Sequence, residues 1–358
     1  MNEDRRTEHP FHMYEAIQAQ PEAFARAAGR NEAAVDRFAS GIYDCERLFI
    51  IGIGTSFHAA RAGEHLMRNY GDGLDVRVMH SFDFALYGPL LGPGDCVVAV
   101  SHRGSKRYTA AALARAREAG CRTELITGEG GSGAGTAFVT VAQEKSAAHT
   151  VSCTGSVAVL ALLAGSIGRH RTGGDTMPEG LLRDEIASAL REALGTEEEA
   201  ASLAREHVGR RRIWLAGGGP SAVVAEETAL KIKETSYLQA EGMSAETLMH
   251  GPFQCVDDED LFVLVAPSGA ARERTLEVAH LASEIGAPCM VVSDEAANLP
   301  QNTASILVPT VPEPFTALTC LVPLQLFTYH LALARGTNPD SFRAEDPRFA
   351  RADVSGRL

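Results

Sequence analysis

The side chains best suited to chemistry lie in one stretch of the second half, where charges recur at helical spacing. Glu227, Lys231 and Glu234 fall on one face of a predicted helix. His250 follows shortly afterwards, directly before a Gly-Pro pair. A carboxylate, an amine and an imidazole near one pocket are the groups that general acid–base proton transfer requires. An exposed salt-bridge ladder and a turn histidine are the alternative interpretation of the same residues.

A second candidate site is a run of cations in the segment Ser101–Arg107, which reads SHRGSKR. His102, Arg103 and Lys106 precede a predicted helix, where positive charges oppose the helix dipole. An anion that binds the cations and the helix N–H groups together explains this placement in an acidic protein. A solvated charged face is the alternative.

Two further loops carry weaker signals. Gly54 would let the backbone approach a ligand, and Thr55 and Ser56 offer hydroxyl groups at the start of the next helix. Phe57 stands where a dinucleotide fingerprint needs its third glycine, so the motif is incomplete. The polar segment 151–156 precedes an apolar helix. Helix capping accounts for either loop as well as a ligand does.

Short apolar runs alternate with helical stretches in both halves, and they would position these loops. The predicted strands are residues 47–53, 96–101, 122–127 and 137–143, then 212–217, 261–266, 289–294 and 305–310. Such alternation is typical of parallel α/β sheets, which bind ligands at the carboxyl ends of their strands.

The two halves repeat the same order of elements. The stretch from Val97 and the stretch from Phe262 both read strand, glycine loop, helix, glycine, strand, at an offset of about 165 residues. We therefore predict a duplicated fold; chance similarity between two strand–helix–strand units is the alternative. Residues 173–208, rich in Glu, Arg and Ala, are predicted to be a helical connection.

The length, net charge and cysteine pattern of the chain disfavour several classes of partner and site. A length of 358 residues suits two domains, and a net charge of -13 disfavours nucleic acid and anionic membranes as partners. The charged start and the absence of an uninterrupted apolar run of membrane-spanning length predict a cytoplasmic protein. The seven cysteines are scattered, which predicts buried free thiols and no metal site.

These segments together resemble SIS-domain sugar-phosphate enzymes, above all the isomerase half of glucosamine-6-phosphate synthase and related deaminases and deglycases. The matching segments are MYEAIQAQPEAF, the Gly54-Thr55-Ser56 triplet and ALKIKETSYLQAEGMSAETLMHGP. The resemblance implies an α/β fold of two tandem SIS domains, each a doubly wound, flavodoxin-like parallel sheet flanked by helices. The domain limits are then a helical segment 1–45, SIS domains 46–172 and 210–335, a linker 173–209 and a tail 336–358.

The resemblance also implies roles for single residues. Glu234 would move a proton between carbons 1 and 2 of the sugar, with Lys231 beside it. His250 would open the sugar ring from a neighbouring subunit, so a homodimer with a shared site is expected. No cofactor or metal is implied. The residues expected to bind the phosphorylated sugar or amino sugar are Gly54, Thr55, Ser56, Ser101, His102, Arg103, Lys106, Val151 and Cys153.

Two departures from the family pattern limit this interpretation. The family's second loop reads like SQSGET, whereas here cations replace its neutral or acidic residues. No lysine follows Lys233, so the tail lacks the amine with which the synthase forms a Schiff base, and arginine cannot replace it. The short segment before the first strand also leads us to expect no glutaminase domain.

We therefore expect an aldose–ketose isomerase or an amino-sugar-phosphate deaminase. One alternative is a sugar-phosphate-binding regulator, although the first residues contain no basic recognition helix. The other is the synthase subunit of a two-chain aminotransferase that receives ammonia from a separate glutaminase.

Overall fold

The computed structural model describes residues 5–132 and 138–352, and these form two compact units. The first unit comprises residues 19–132, 138–144 and 151–187, and the second comprises 5–18, 145–150 and 188–352. The domain limits given above stay a prediction.

Ten strands occur in the described residues. In chain order they are β1 (Arg47–Gly52), β2 (Val76–His80), β3 (Asp95–Val100), β4 (Arg122–Thr127), β5 (Phe138–Val139), β6 (Arg212–Gly217), β7 (Gln239–Ser244), β8 (Leu261–Val265), β9 (Cys289–Ser293) and β10 (Thr303–Leu307).

Fourteen α-helices accompany these strands in the same part of the chain. They are α1 (His12–Gln18), α2 (Gln20–Ala39), α3 (Thr55–Tyr70), α4 (Ser81–Tyr87), α5 (Arg107–Glu118), α6 (Val151–Thr172), α7 (Ala187–Ala193), α8 (Glu197–Glu206), α9 (Pro220–Ser236), α10 (Ala245–Met249), α11 (Arg272–Glu284), α12 (Thr316–Thr319), α13 (Leu321–Ala334) and α14 (Pro347–Ala352).

Each unit contains one parallel sheet of five strands. The order is β2-β1-β3-β4-β5 in the first unit and β10-β9-β8-β6-β7 in the second. The central strands β3 and β8 are buried along their whole length, as expected for strands covered by helices on both faces. The predicted α/β fold with two doubly wound parallel sheets is confirmed.

An ion pair fixes the start of the first sheet. The Arg47 Nε lies 2.6 Å from Oδ1 of Asp95, whose side chain is 2% exposed. The Arg47 guanidinium also lies 5.3 Å from the ring centroid of Phe49, and the Gly92 N–H donates to Asp95 at 2.8 Å. The guanidinium holds the pKa of the Asp95 carboxyl below its usual range.

The second sheet repeats this arrangement at an offset of about 165 residues. Arg212 pairs with the buried Asp260 at 2.9 Å and lies 5.4 Å from the ring of Trp214. The Asp257 N–H donates to Asp260 at 3.1 Å, as its counterpart does in the first sheet. Equivalent residues therefore make equivalent contacts, which supports duplication over chance similarity.

Three strands and one helix start differ from the sequence prediction. The edge strands β2 and β7 were not predicted, and of the strand predicted at 137–143 only Phe138–Val139 is formed, with residue 137 outside the described ranges. The segment 151–156 is not a loop, because α6 already begins at Val151. Its small polar residues are buried, and Gly155 packs so closely on Thr140 that a Cβ there would lie 3.1 Å from the threonine Cβ.

Two helical segments, Val151–Thr172 and Glu313–Ala334, are long and apolar enough to cross a membrane. Their most apolar windows are 89% and 83% buried within the fold, which is the pattern of core helices. All seven cysteines are free thiols. Five are buried as predicted, whereas Cys45 is half-buried and Cys255 is exposed.

Candidate functional site

The charged residues of α9 form a largely buried cluster in the second unit. The Lys231 Nζ lies 2.5 Å from Oε2 of Glu234 and 3.5 Å from Oε1 of Glu227. Lys231 and Glu227 are each 1% exposed, whereas Glu234 is 21% exposed. The helical spacing therefore brings the three together as expected, but as a buried cluster and not as an exposed ladder.

The three residues differ in burial and therefore in the role that each can have. A buried ammonium or carboxylate is costly unless it is paired, so Lys231 and Glu227 neutralise each other inside the fold. Glu234 shares the same ammonium and also reaches the surface. It is the carboxylate of the cluster that a ligand can approach.

His250 makes its polar contact with a different carboxylate. It follows α10, its side chain is 73% exposed, and Nε2 lies 2.8 Å from Oε1 of Glu246. Arg274 contacts the other oxygen of Glu246 at 2.9 Å, and this contact, followed by His250, lowers the pKa of the Glu246 carboxyl. His250 thus lies on an exposed polar surface and does not contact Glu234.

The loop after β1 places Thr55 and Ser56 in the first turn of α3. Gly54 precedes the helix with φ 57°, a conformation that favours glycine. Gly52 is constrained by space, since a Cβ there would lie 2.4 Å from the Ser56 carbonyl oxygen. The glycines are therefore explained by a tight strand-to-helix turn, after which the first residues of α3 are half-buried.

The loop after β3 combines a buried hydroxyl with cations. The Ser101 Oγ is buried and has no hydrogen-bond partner among the described residues. Arg103 is exposed, while Lys106 is half-buried and directly precedes α5. Burial, followed by the nearby Arg103, lowers the pKa of the Lys106 ammonium. A bound anion would accept a hydrogen bond from the Ser101 hydroxyl and would stabilise the charged form of Lys106.

His102 supports this loop from within. Its side chain is buried, and Nε2 accepts a hydrogen bond from the Glu144 N–H at 3.0 Å. The Glu144 carboxylate accepts in turn from the Ser152 N–H at 2.9 Å, in the first turn of α6. Val151 and Cys153 lie beside Ser152 and are buried. Sequence reasoning missed Glu144, although an acidic residue shortly before a helix is a usable signal.

The candidate residues of the first unit gather at one edge of its sheet. The strands β1 and β3 are neighbours, so the Gly54–Ser56 and Ser101–Lys106 segments follow adjacent strand ends. The helix α6, which carries Val151 and Cys153, packs on α3. These loops therefore lie on the same side of the first unit's sheet, while Lys231, Glu234 and His250 belong to the second unit.

The two main cavities do not include the candidate site residues. Cavities of about 460 and 430 Å³ are lined by other side chains. Across residues 5–132 and 138–352, no group of three or more His, Cys, Asp or Glu could hold a metal ion.

Comparison with known proteins places both sheets in one family. The SIS domain model matches residues 41–165 and again 208–335. The chain belongs to the SIS domain family. Each match covers one of the two parallel sheets, so the predicted tandem SIS organisation is confirmed.

Curated relatives of this SIS protein include two enzymes named glutamine–fructose-6-phosphate aminotransferase (isomerizing). The one from Pyrococcus horikoshii is 30% identical over 92% of this chain and 56% of its own length. The one from Halobacterium salinarum is 32% identical over 83% of this chain and 50% of its own length. The chain thus spans about half the length of these relatives.

Solved structures show the same fold. The C-terminal domain of glucosamine-fructose-6-phosphate aminotransferase from Francisella tularensis superposes with a TM-score of 0.83 at 21% identity, over 94% of this chain and 99% of that one. A tagatose-6-phosphate ketose/aldose isomerase from Escherichia coli gives 0.76 at 20% identity, over 94% and 96%. At these identities the likeness concerns the fold alone.

Proposed function

We propose that this SIS protein is an aldose–ketose isomerase or deaminase acting on a phosphorylated sugar or amino sugar. The observation that carries the proposal is the 2.5 Å contact between Lys231 and Glu234, with the amine buried and the carboxylate partly exposed. A carboxylate so placed can take a proton from one sugar carbon and return it to its neighbour. Lys231 balances its charge and fixes its orientation.

The β3–α5 loop supplies the proposed anion site in the first unit. The Ser101 hydroxyl has no hydrogen-bond partner among the described residues, and α5 has no side-chain cap there. Together with the cations Arg103 and Lys106, these groups are suited to a phosphate group. These cations stand out in a chain of net charge -13, where the general field disfavours anions. His102 would position the loop through Glu144.

His250 would open the sugar ring, in keeping with the family resemblance. Its 73% exposure suits an imidazole that serves the site of a second subunit, and the Glu246 contact holds the ring in place. We therefore propose a homodimer whose sites are shared between subunits, with the cytoplasm as its compartment.

The names of the relatives indicate which candidate substrates to examine first. Fructose 6-phosphate and tagatose 6-phosphate are both ketohexoses that carry a phosphate on carbon 6. Ketohexose 6-phosphates and their amino-sugar counterparts are thus the first substrates to examine.

The decisive experiment measures proton exchange in deuterated water. The full chain is incubated separately with fructose 6-phosphate and glucosamine 6-phosphate, while NMR follows deuterium at carbons 1 and 2 and a coupled assay follows ammonia. Wild type should incorporate deuterium, and ammonia release would identify a deaminase. Glu234→Gln should abolish exchange with the fold intact, whereas Glu226→Gln on the same helix should retain it. Full exchange by Glu234→Gln would refute the proton-shuttle role.

A second candidate is ammonia-dependent synthesis, because relatives at 30% identity or more are named as aminotransferases. Here fructose 6-phosphate with ammonium salts, and separately with glutamine, is assayed for glucosamine 6-phosphate. Glutamate released together with product would favour an intrinsic amide-hydrolysing activity. Binding of either sugar phosphate without exchange or synthesis would favour a regulatory SIS protein.

A further inference from the structure

The second unit contains a counterpart of the β3–α5 loop. The segment 266–271 links β8 to α11, about 165 residues after Ser101–Lys106. Both segments contain a glycine with positive φ at the matching position, 68° at Gly104 and 153° at Gly269. Both loops therefore place a glycine with positive φ shortly before the start of a helix, although the two φ values differ.

The side chains of the two loops differ in charge. Ser268 and Ala271 stand in the second loop where Arg103 and Lys106 stand in the first. The second loop has thus lost the two cations that attract an anion from solution. Carboxylates from elsewhere in the same unit occupy it instead.

One of these carboxylates comes from Glu313. Its Oε1 accepts a hydrogen bond from the Ala270 N–H at 3.1 Å, next to the start of α11. A Cβ on Gly269 would lie 2.3 Å from the same oxygen, so glycine leaves the space that the carboxylate fills. Glu313 therefore binds the loop backbone as an external oxyanion would.

A second carboxylate completes the arrangement. Oδ1 of Asp294 accepts from the Ser268 N–H at 2.6 Å and from the Ser268 hydroxyl at 2.9 Å. The two carboxylates together accept hydrogen bonds from the N–H groups of Ser268 and Ala270. The charge-assisted hydrogen bonds that the first loop offers to a ligand are satisfied here within the protein.

Arg272 directly follows the loop and carries an unused donor. It is the first residue of α11, 17% exposed, and its Nε is buried without a hydrogen bond in the part of the chain that the structure describes. Its nearest carboxylate oxygen, in Glu295, lies 3.9 Å away. A guanidinium N–H at this position suits a tetrahedral oxyanion.

We propose that Glu313 is an internal anion that closes the anion-binding loop of the second SIS domain, and that its removal opens a site for inorganic phosphate or sulfate. The Ala270 N–H and Arg272 would bind the anion. This inference concerns the second unit alone and does not depend on the reaction proposed above.

The test compares the thermal unfolding of full-length variants in about 50 mM phosphate with that in sodium chloride of equal ionic strength. Glu313→Ala should gain about 2–4 °C more from phosphate than wild type gains, because the anion replaces the lost carboxylate. Glu313→Ser should behave in the same way and serves as a second opening variant. Arg272→Gln added to Glu313→Ala should remove the extra gain.

Two controls separate opening of the loop from loss of charge. Glu313→Gln keeps a side-chain oxygen that can accept from Ala270, so its phosphate response should equal that of wild type. Glu284→Ala removes the same charge from the exposed far end of α11 and should also match wild type. Equal phosphate responses in wild type, Glu313→Ala and Glu313→Ser would overturn the proposal. Because wild type is the reference, an inactive first loop would not alter this outcome.

Discussion

Replacing Lys231 by methionine should destabilise the second unit through the carboxylate that it leaves behind. Glu227 is 1% exposed, and its Oε1 lies 3.5 Å from the Lys231 ammonium. Solvent screens such a pair very little, and breaking a buried pair from one side costs about 3–5 kcal/mol. With roughly 2–4 °C per kcal/mol for units of this size, the unfolding midpoint should fall by about 6–20 °C.

The double variant Glu227→Gln/Lys231→Met provides the internal check. It removes both charges, so it should recover at least half of the stability lost by Lys231→Met. Lys233→Met, on the exposed side of the same helix, should change stability by less than about 0.5 kcal/mol. Urea unfolding followed by circular dichroism gives all four free energies. A loss below about 1 kcal/mol in Lys231→Met, or a double variant no more stable than the single one, would refute the reasoning.

Further predictions concern the first unit. Arg103→Ala and Lys106→Ala should each weaken sugar-phosphate binding about 10- to 100-fold in calorimetry, because a charge-assisted contact contributes roughly 1.5–3 kcal/mol. The control Arg117→Ala, at the other end of α5, should leave the affinity unchanged. Affinity should fall as the pH rises through the lowered pKa of Lys106, because the anion favours the protonated amine; Lys106→Met should lose this dependence. The Ser166 hydroxyl, followed by Arg169, lowers the pKa of Asp36 from 3.8 to about 2. Its stabilising contribution is therefore complete above about pH 4 and lost as the pH falls towards 2, and Asp36→Asn should flatten acid unfolding over that window.

The sequence predicted the central strands well because their burial leaves a clear apolar signal. β4 and β6 begin and end at the predicted residues, and β8 differs by one. The edge strands β2 and β7 carried no such signal, since Gln239–Ser244 includes Glu and Gly and is mostly half-buried. The start of α6 was hidden because Ser, Cys, Thr and Gly resemble a loop in sequence, while in the fold they pack against neighbours.

The candidate site was predictable where it depended on helical spacing. Lys231 and Glu234 meet because they are three residues apart on one helix, whatever the rest of the fold does. The burial of Lys231 depends on tertiary packing and was not foreseeable from spacing. The same holds for His102, whose charge pattern suggested an exposed cation but whose ring packs inside and contacts Glu144.

The repeated Arg–Asp pairs at the start of each sheet have a consequence for protein engineering. Residues 47–107 and 212–272 are equal in length and share their anchoring contacts, so each segment could be transplanted into the place of the other without an insertion or a deletion. The Arg–Asp ion pair at the start of the sheet would be transferred together with the loop, and the strand register would be preserved. Such chimaeras would exchange the cationic loop 101–106 for its neutral counterpart 266–271 in a single replacement. Descendants of an ancestral duplication could diverge in the same way, altering their loops while the anchors stayed fixed.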